Sequence, residues 1–238
     1  MSSAKSWRAE AVIFFLAAQV LCFLLGSLTI AVLHKKGVSG FTDMDAFGPI
    51  LIATLCFQGA TWILMVFFFW IQGIRVRDGL GVTIKNILLA PLLAIVAVVF
   101  VLPAAWGLQI ASLWLMGKIH WKPQTEEAVS LITGANSKPE QIYLAVFAVI
   151  LAPVAEEFIF RGVLFTSVKQ LGFPKLAWIG VSLLFALIHG DAAIFIPLFV
   201  LSLVLTLLYE MTDSLLAPMF THALFNAANL VLLTHGSQ

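Results

Sequence analysis

Apolar blocks about as long as a bilayer is thick follow one another along the chain, separated by short polar punctuation. A spanning helix needs about 20 mostly apolar residues. The first block, Ala11 to Leu33, carries no charge. The second runs from Phe47 to Ile74 and the third from Ile87 to Met116. The third contains Pro91 and Pro103; Pro103 is expected to kink it or to divide it into two shorter segments. The fourth starts near Ile142 and runs past Arg161. The fifth covers Leu176 to His189, the sixth Ala192 to Tyr209 and the seventh Leu215 to Leu233. The pattern predicts an all-α protein, a polytopic transmembrane helix bundle of seven spans, or eight if the third divides. A membrane barrel does not fit, because its strands alternate apolar and polar over about ten residues.

The polar stretch from Gly117 to Gln141 is the largest piece expected outside the membrane, with a short surface helix around Glu126 to Leu131. No repeat, low-complexity tract or second domain interrupts the chain. We read residues 1–238 as a single integral membrane domain with a motif-bearing core at about 142–233. Composition agrees with this. Hydrophobic residues make up 61% and charged residues 11%, against about 25% charged in a soluble domain. That excludes a disordered chain, a disulfide scaffold and an ordinary soluble enzyme. A net charge of +1 leaves no basic footprint for nucleic acid. Cys22 and Cys56 both lie in apolar blocks and are poor disulfide candidates.

The first apolar run is longer than a signal-peptide core, so it is expected to be a retained span. The C-terminal THGSQ is not a prenylation box. In a seven-span arrangement one side collects Lys5, Arg8, Arg75, Arg77, Lys85, Lys169 and Lys175. The other collects Lys35, Lys36, Lys118, Lys122 and Lys138. This bias favours a cytoplasmic N-terminus.

Charges stand where lipid forbids them. The fourth span carries Glu156, Glu157 and Arg161. Each charge near the bilayer centre costs roughly 3 kcal/mol, about 9 for the three. The thirteen Ile, Leu, Phe and Val residues from Ile142 to Leu164 return roughly 4–8 kcal/mol. The segment therefore needs neighbours, with its charges facing protein or a wet cavity. Glu157 and Arg161 stand four apart with the acid first, the better order for a helical ion pair, and a self-neutralised pair is one reading of them. Glu156 sits off that face without a local partner, as suits a general base or acid.

Two further spans add polar groups. The fifth ends in FALIHGD, with Phe185 and His189 four apart; a helix-end histidine can also be simply a cap or an interfacial group. The seventh carries His222 and Asn226 on one face, a pairing that can also serve as helix glue. The joint placement says more than any member. Spans four and five are antiparallel neighbours. At about 1.5 Å per residue, Glu156 and His189 fall about 18 and 20 Å from one face, with His222 and Asn226 roughly 10 and 16 Å in. A carboxylate, two imidazoles and an amide can thus share one level.

That set lacks a well-placed Ser or Cys nucleophile. Gly37-Val38-Ser39-Gly40 spells a short serine-rhomboid motif, but it lies in a polar loop. There is no HExxH sequence and no aspartate within a span. An activated-water hydrolase remains. Glu156 can take a proton from water that His189 holds, and His222 with Asn226 can donate to an oxyanion. Alternatively Glu156, His189 and His222 could ligate a zinc ion that carries the water. Asn is an uncommon zinc ligand, which favours the metal-free version.

At these residues the sequence resembles the CPBP family, the CAAX protease and bacteriocin-processing (Abi) membrane enzymes. Its EExxxR motif reads Glu156-Glu157-Phe158-Ile159-Phe160-Arg161, its FxxxH motif Phe185 to His189, and its HxxxN motif His222 to Asn226. The resemblance covers the chain from Tyr143 onward. It implies an intramembrane endopeptidase in which Glu156 and His189 activate water and His222 and Asn226 form the oxyanion pair. Glu157 and Arg161 would support Glu156. It implies a peptide or protein substrate at the lipid bilayer, prenylated in the eukaryotic branch. Compact size and short loops suggest a bacterial inner-membrane protein. A second reading stays open: a non-catalytic scaffold or bacteriocin-immunity type protein that binds a partner, or carries a proton, through the same cluster.

Overall fold

The computed structural model describes residues 6–43, 46–121, 135 and 137–236. The surface helix expected at 126–131 lies outside the described residues. Among them the architecture is all-helical. The main helices are α1 (Ala9–Lys35), α2 (Phe47–Gln72), α3 (Ile84–Lys118), α4 (Lys138–Gln170), α5 (Pro174–Ile188), α6 (Phe195–Thr212) and α7 (Leu216–Gly236). Five of them, α1, α2, α3, α4 and α6, are long and apolar enough to cross a membrane; α5 and α7 are shorter apolar helices. The outward faces are apolar too, with Trp70 at 72% and Phe100 at 73% exposure. In a membrane protein such faces meet lipid rather than water.

The helices begin and end where the sequence supplies the chemistry. Thr83 caps α3 by accepting from the Asn86 amide, and the Asn86 side chain donates to the Gly81 carbonyl. Ser137 caps α4 by accepting from the Glu140 amide, with Pro139 in the first turn. Gly73 closes α2 in the left-handed conformation. The expected division of the third apolar block does not occur. Pro91 and Pro103 both lie inside one continuous 35-residue helix, as membrane helices tolerate when their neighbours satisfy the backbone.

Helix α3 packs against α6 and α7, α5 against α6, and α1 against α2. The largest core cluster is aromatic. Phe158 of α4 meets Phe15, Phe68 and Phe69 edge-on at 5.3–5.7 Å between ring centroids. Trp7 joins this cluster and fastens the start of the chain to α4. Its backbone N–H donates to the Gln170 side-chain oxygen at 2.6 Å, and the Gln170 amide donates back to the Trp7 carbonyl at 2.8 Å. Its indole N–H donates to the Gly162 carbonyl at 2.7 Å.

At the same end, the turn before α7 lies on the turn before α3. Leu215 donates its N–H to the Leu80 carbonyl, and the Ser214 hydroxyl donates to that same oxygen. Gly81 makes the approach possible. Its φ is +70°, and an added Cβ would fall 2.5 Å from the Asp213 carbonyl oxygen and 2.8 Å from the Ser214 Cα. Gly81→Ala is therefore expected to destabilise the protein by roughly 2 kcal/mol through backbone strain and contact. A lowered unfolding midpoint in detergent, compared with a Gly107→Ala control that meets open space, checks this.

Candidate functional site

Adjacent residues on a helix point about 100° apart, so Glu156 and Glu157 cannot share an environment. Glu157 faces inward and is fully buried together with Arg161. Arg161 Nη1 donates to Glu157 Oε1 at 2.9 Å. Its Nη2 donates to the Ser202 carbonyl at 2.9 Å and to the Ser202 hydroxyl at 2.6 Å. Its Nε donates to the Thr206 hydroxyl at 3.4 Å. The guanidinium carbon stands 4.9 Å from the Phe185 ring centroid, within cation–π range. The predicted ion pair thus exists, but it is more than a local pair on α4. It ties α4 to α5 and α6.

Glu157 Oε1 also accepts from His222 Nδ1 at 2.9 Å, which ties in α7. With Nδ1–H committed there, His222 turns Nε2 toward Glu156, 3.8 Å from Oε2. His189 is arranged in parallel fashion. Its Nδ1 lies 2.7 Å from the Phe185 carbonyl. A carbonyl only accepts, so Nδ1 carries the proton and Nε2 of the neutral ring is free to accept. Phe185 stands beside both rings, at 4.8 Å from His189 and 5.6 Å from His222. Helix α5 is short, and His189 is the residue that follows its last turn. A 15-residue helix rises about 22 Å, less than a hydrocarbon core of about 30 Å. The histidine therefore sits at a helix end within the depth of the hydrocarbon core rather than beyond it.

Asn226 is held by a feature of α4. Between Phe147 and Leu151 the helix widens to i→i+5 bonding, the Ala152 N–H reaching back to the Phe147 carbonyl. The next bond in that register would run from residue 153 to Ala148, and Pro153 has no N–H. The orphaned Ala148 carbonyl accepts instead from Asn226 Nδ2 at 2.9 Å. The second amide hydrogen of Asn226 is left for other partners. Two more widened segments occur among the described residues, Leu55–Gly59 in α2 and Phe158–Phe165 in α4. Such segments are frequent at functional sites.

All four residues expected to carry the chemistry, Glu156, His189, His222 and Asn226, line one cavity of about 310 Å³. Sequence reasoning missed the rest of its polar lining, Gln58, Gln109 and Asn229, together with Trp106. Trp106 donates its indole N–H to Asn229 Oδ1 at 2.8 Å. The available signals were a carboxamide within an apolar span, for Gln58 and Gln109, and the three-residue spacing of Asn229 from Asn226.

The alternative zinc reading required Glu156, His189 and His222 to converge. Among the described residues no group of three His, Cys, Asp or Glu side chains is arranged to hold a metal ion. Ser39 of the rhomboid-like tetrapeptide lies in an exposed turn after α1, away from the cavity lining.

Residues 138–228 match the family model described as Rce1-like, type II CAAX prenyl endopeptidase Rce1-like. The match contains all three motifs and begins at the first residue of α4. It is consistent with the CPBP resemblance carried by those motifs, and the family is one of proteases. The apolar helices and this match together indicate an integral membrane protein. No curated protein and no solved structure matches the chain.

The buried pair makes a stability prediction. Arg161→Met leaves the Glu157 carboxylate without its cation and is expected to cost about 3–5 kcal/mol. The double variant Glu157→Gln/Arg161→Met removes both charges and should recover much of that loss. Unfolding midpoints of the two variants in one detergent check this, and equal midpoints would contradict it.

Proposed function

We propose that the protein is an intramembrane endopeptidase of the CAAX-processing type that hydrolyses a peptide bond with water activated by Glu156 and His189. The observation that carries this reading is the meeting of Glu156, His189, His222 and Asn226, from three helices, on one cavity, within a segment that matches a protease family. Glu156 takes a proton from water as its oxygen attacks the scissile carbonyl carbon. His189 holds that water through Nε2, since its Nδ1–H is committed to Phe185. The negative charge that develops on the carbonyl oxygen meets the free Asn226 N–H and His222 Nε2. For His222 to donate there it must carry a proton on both ring nitrogens, because Nδ1–H is bound to Glu157. Collapse of the tetrahedral intermediate breaks the C–N bond, and Glu156 passes its proton to the departing amine.

This is hydrolysis without a metal. The substrate is a peptide segment of a membrane-associated protein, which the family description extends to prenylated chains. Seven helices crossing the bilayer in alternation would put Trp7, Gln170, Leu80 and Leu215 at one face, in keeping with the contacts Trp7–Gln170 and Leu215–Leu80; the charge bias makes that face the cytoplasmic one. Nucleic acid has no part in it.

Glu156→Gln is expected to lower cleavage of a peptide library by about 10²–10⁴-fold while leaving the unfolding midpoint within the range of surface variants. Asn226→Ala should lower kcat by about 10²–10³-fold. Both are read by mass spectrometry of products from purified protein in detergent. Cleavage at the wild-type rate by Glu156→Gln sinks the mechanism. Wild-type cleavage should persist in a zinc chelator, and its loss with recovery on adding zinc would return the metal reading.

A further inference from the structure

A second cavity, of about 390 Å³, lies between α1, α2 and the start of α4. It shares Gln58, Phe147 and Ala148 with the cavity of the candidate site, so the two adjoin at those residues. Its walls are apolar, with Phe23 and Ile30 of α1, Ile50 of α2 and Leu144 of α4 among them. The hydroxyls in its lining are already engaged. Ser27 donates to the Phe23 carbonyl at 3.0 Å. Thr54 donates to the Leu51 carbonyl at 3.0 Å and pairs with the Tyr143 hydroxyl at 2.7 Å.

Gln58 is different. Among the described residues its carboxamide has no hydrogen-bond partner, and it lines both cavities at their junction. Its position is built. It lies in the widened segment Leu55–Gly59, where the displaced Phe57 carbonyl accepts from Gln19 Nε2 at 2.9 Å and from the Thr61 hydroxyl at 2.7 Å. Gln19 and Thr61 are both buried. A polar network inside an apolar bundle thus fixes the turn that carries an unpaired carboxamide.

We propose that Gln58 is a substrate-binding residue. Its carboxamide hydrogen-bonds the peptide backbone where the substrate passes from the scissile bond into the apolar cavity, which takes a bulky apolar side chain next to that bond. The inference rests on the endopeptidase reading and adds the recognition element to it. The occupant is set by three facts together: the continuity of the two cavities, the apolar walls with their hydroxyls engaged, and one free hydrogen-bonding group at the neck. A cavity of this size suits an organic side chain with its neighbouring backbone.

The test separates binding from cleavage. The probe is a short fluorescein-labelled peptide of alanine and leucine with one central phenylalanine. Its Kd is measured by fluorescence anisotropy with Glu156→Gln protein in nanodiscs, with and without Gln58→Leu, and the peptide is checked intact by mass spectrometry. Gln58→Met is the second variant should the first fail to fold. Loss of one neutral hydrogen bond is expected to raise Kd about tenfold. An ester scan of the peptide backbone should find one position that weakens binding only when Gln58 is present. Phenylalanine should bind better than alanine at the centre, and Ser27→Phe, which fills the apolar cavity, should erase that preference.

An unchanged Kd in the Gln58 variants overturns the inference, and so does an absence of binding by either protein or an absence of any sensitive ester position. Cleavage of the same probe by wild type and Glu156→Gln is read separately. Equal cleavage, or none, removes the endopeptidase reading while the Kd comparison still decides the role of Gln58.

Discussion

A guanidinium and a carboxylate fully enclosed in a membrane bundle constrain everything around them. Neither Glu157 nor Arg161 reaches solvent, and lipid offers no hydrogen bonds. Their partners must come from protein. Arg161 draws on Glu157, Ser202, Thr206 and the face of Phe185. Glu157 draws on Arg161 and His222. These contacts run from α4 to α5, α6 and α7, so the partners gathered by two buried charges orient the helices that wall the cavity, with Glu157 Oε2 the one oxygen of the pair left buried without a hydrogen-bond partner among the described residues. The tandem of carboxylates follows from the same constraint. One is spent on structure, and its neighbour, turned by one residue, is left facing the cavity at 3.8 Å from His222.

The histidines show how the framework orients the rings at the cavity. Each has its Nδ1 fixed by an acceptor, the Phe185 carbonyl for His189 and the Glu157 carboxylate for His222. Each therefore offers Nε2 at the site. The ring with a neutral acceptor behind it can accept through Nε2. The ring backed by a carboxylate is set apart by the charge at its far side. Two residues of one type are given different surroundings by what lies behind them, while Phe185 packs beside both rings.

Much of this was legible in the sequence. The seven apolar blocks correspond to the seven main helices among the described residues, with ends displaced by only a few residues, because long apolar runs have few alternatives. The four cavity-lining polar residues of the motifs stood out because polar side chains in spans are costly. Three things were not legible. The partners of Arg161, Ser202 and Thr206, look like ordinary small residues in an apolar helix, since tertiary packing alone gives them their role. The third block was open to division because a proline reads as a breaker, whereas the packed helix keeps Pro91 and Pro103 within it. The widened turns have no simple residue signature. Pro153 removes a backbone donor, and only the fold shows that Asn226 takes the acceptor so released.

Those widened turns explain how a polar cavity survives among apolar helices. Lipid tails are as apolar as leucine, so burial of apolar side chains does not by itself hold membrane helices together, and packing and hydrogen bonds must do so. A widened turn displaces backbone carbonyls from the helix ladder, and within lipid each needs a new donor. Here the donors come from other helices or from Trp7, just ahead of α1. Gln19 of α1 serves Phe57 of α2, Asn226 of α7 serves Ala148 of α4, and Trp7 serves Gly162 of α4. Backbone polarity that would be a liability within one helix becomes a tie between two. The first two ties secure turns that line the cavity of the candidate site, and the third secures the turn that holds Arg161 behind it. The same local irregularities that line the cavity therefore keep its surrounding walls in register.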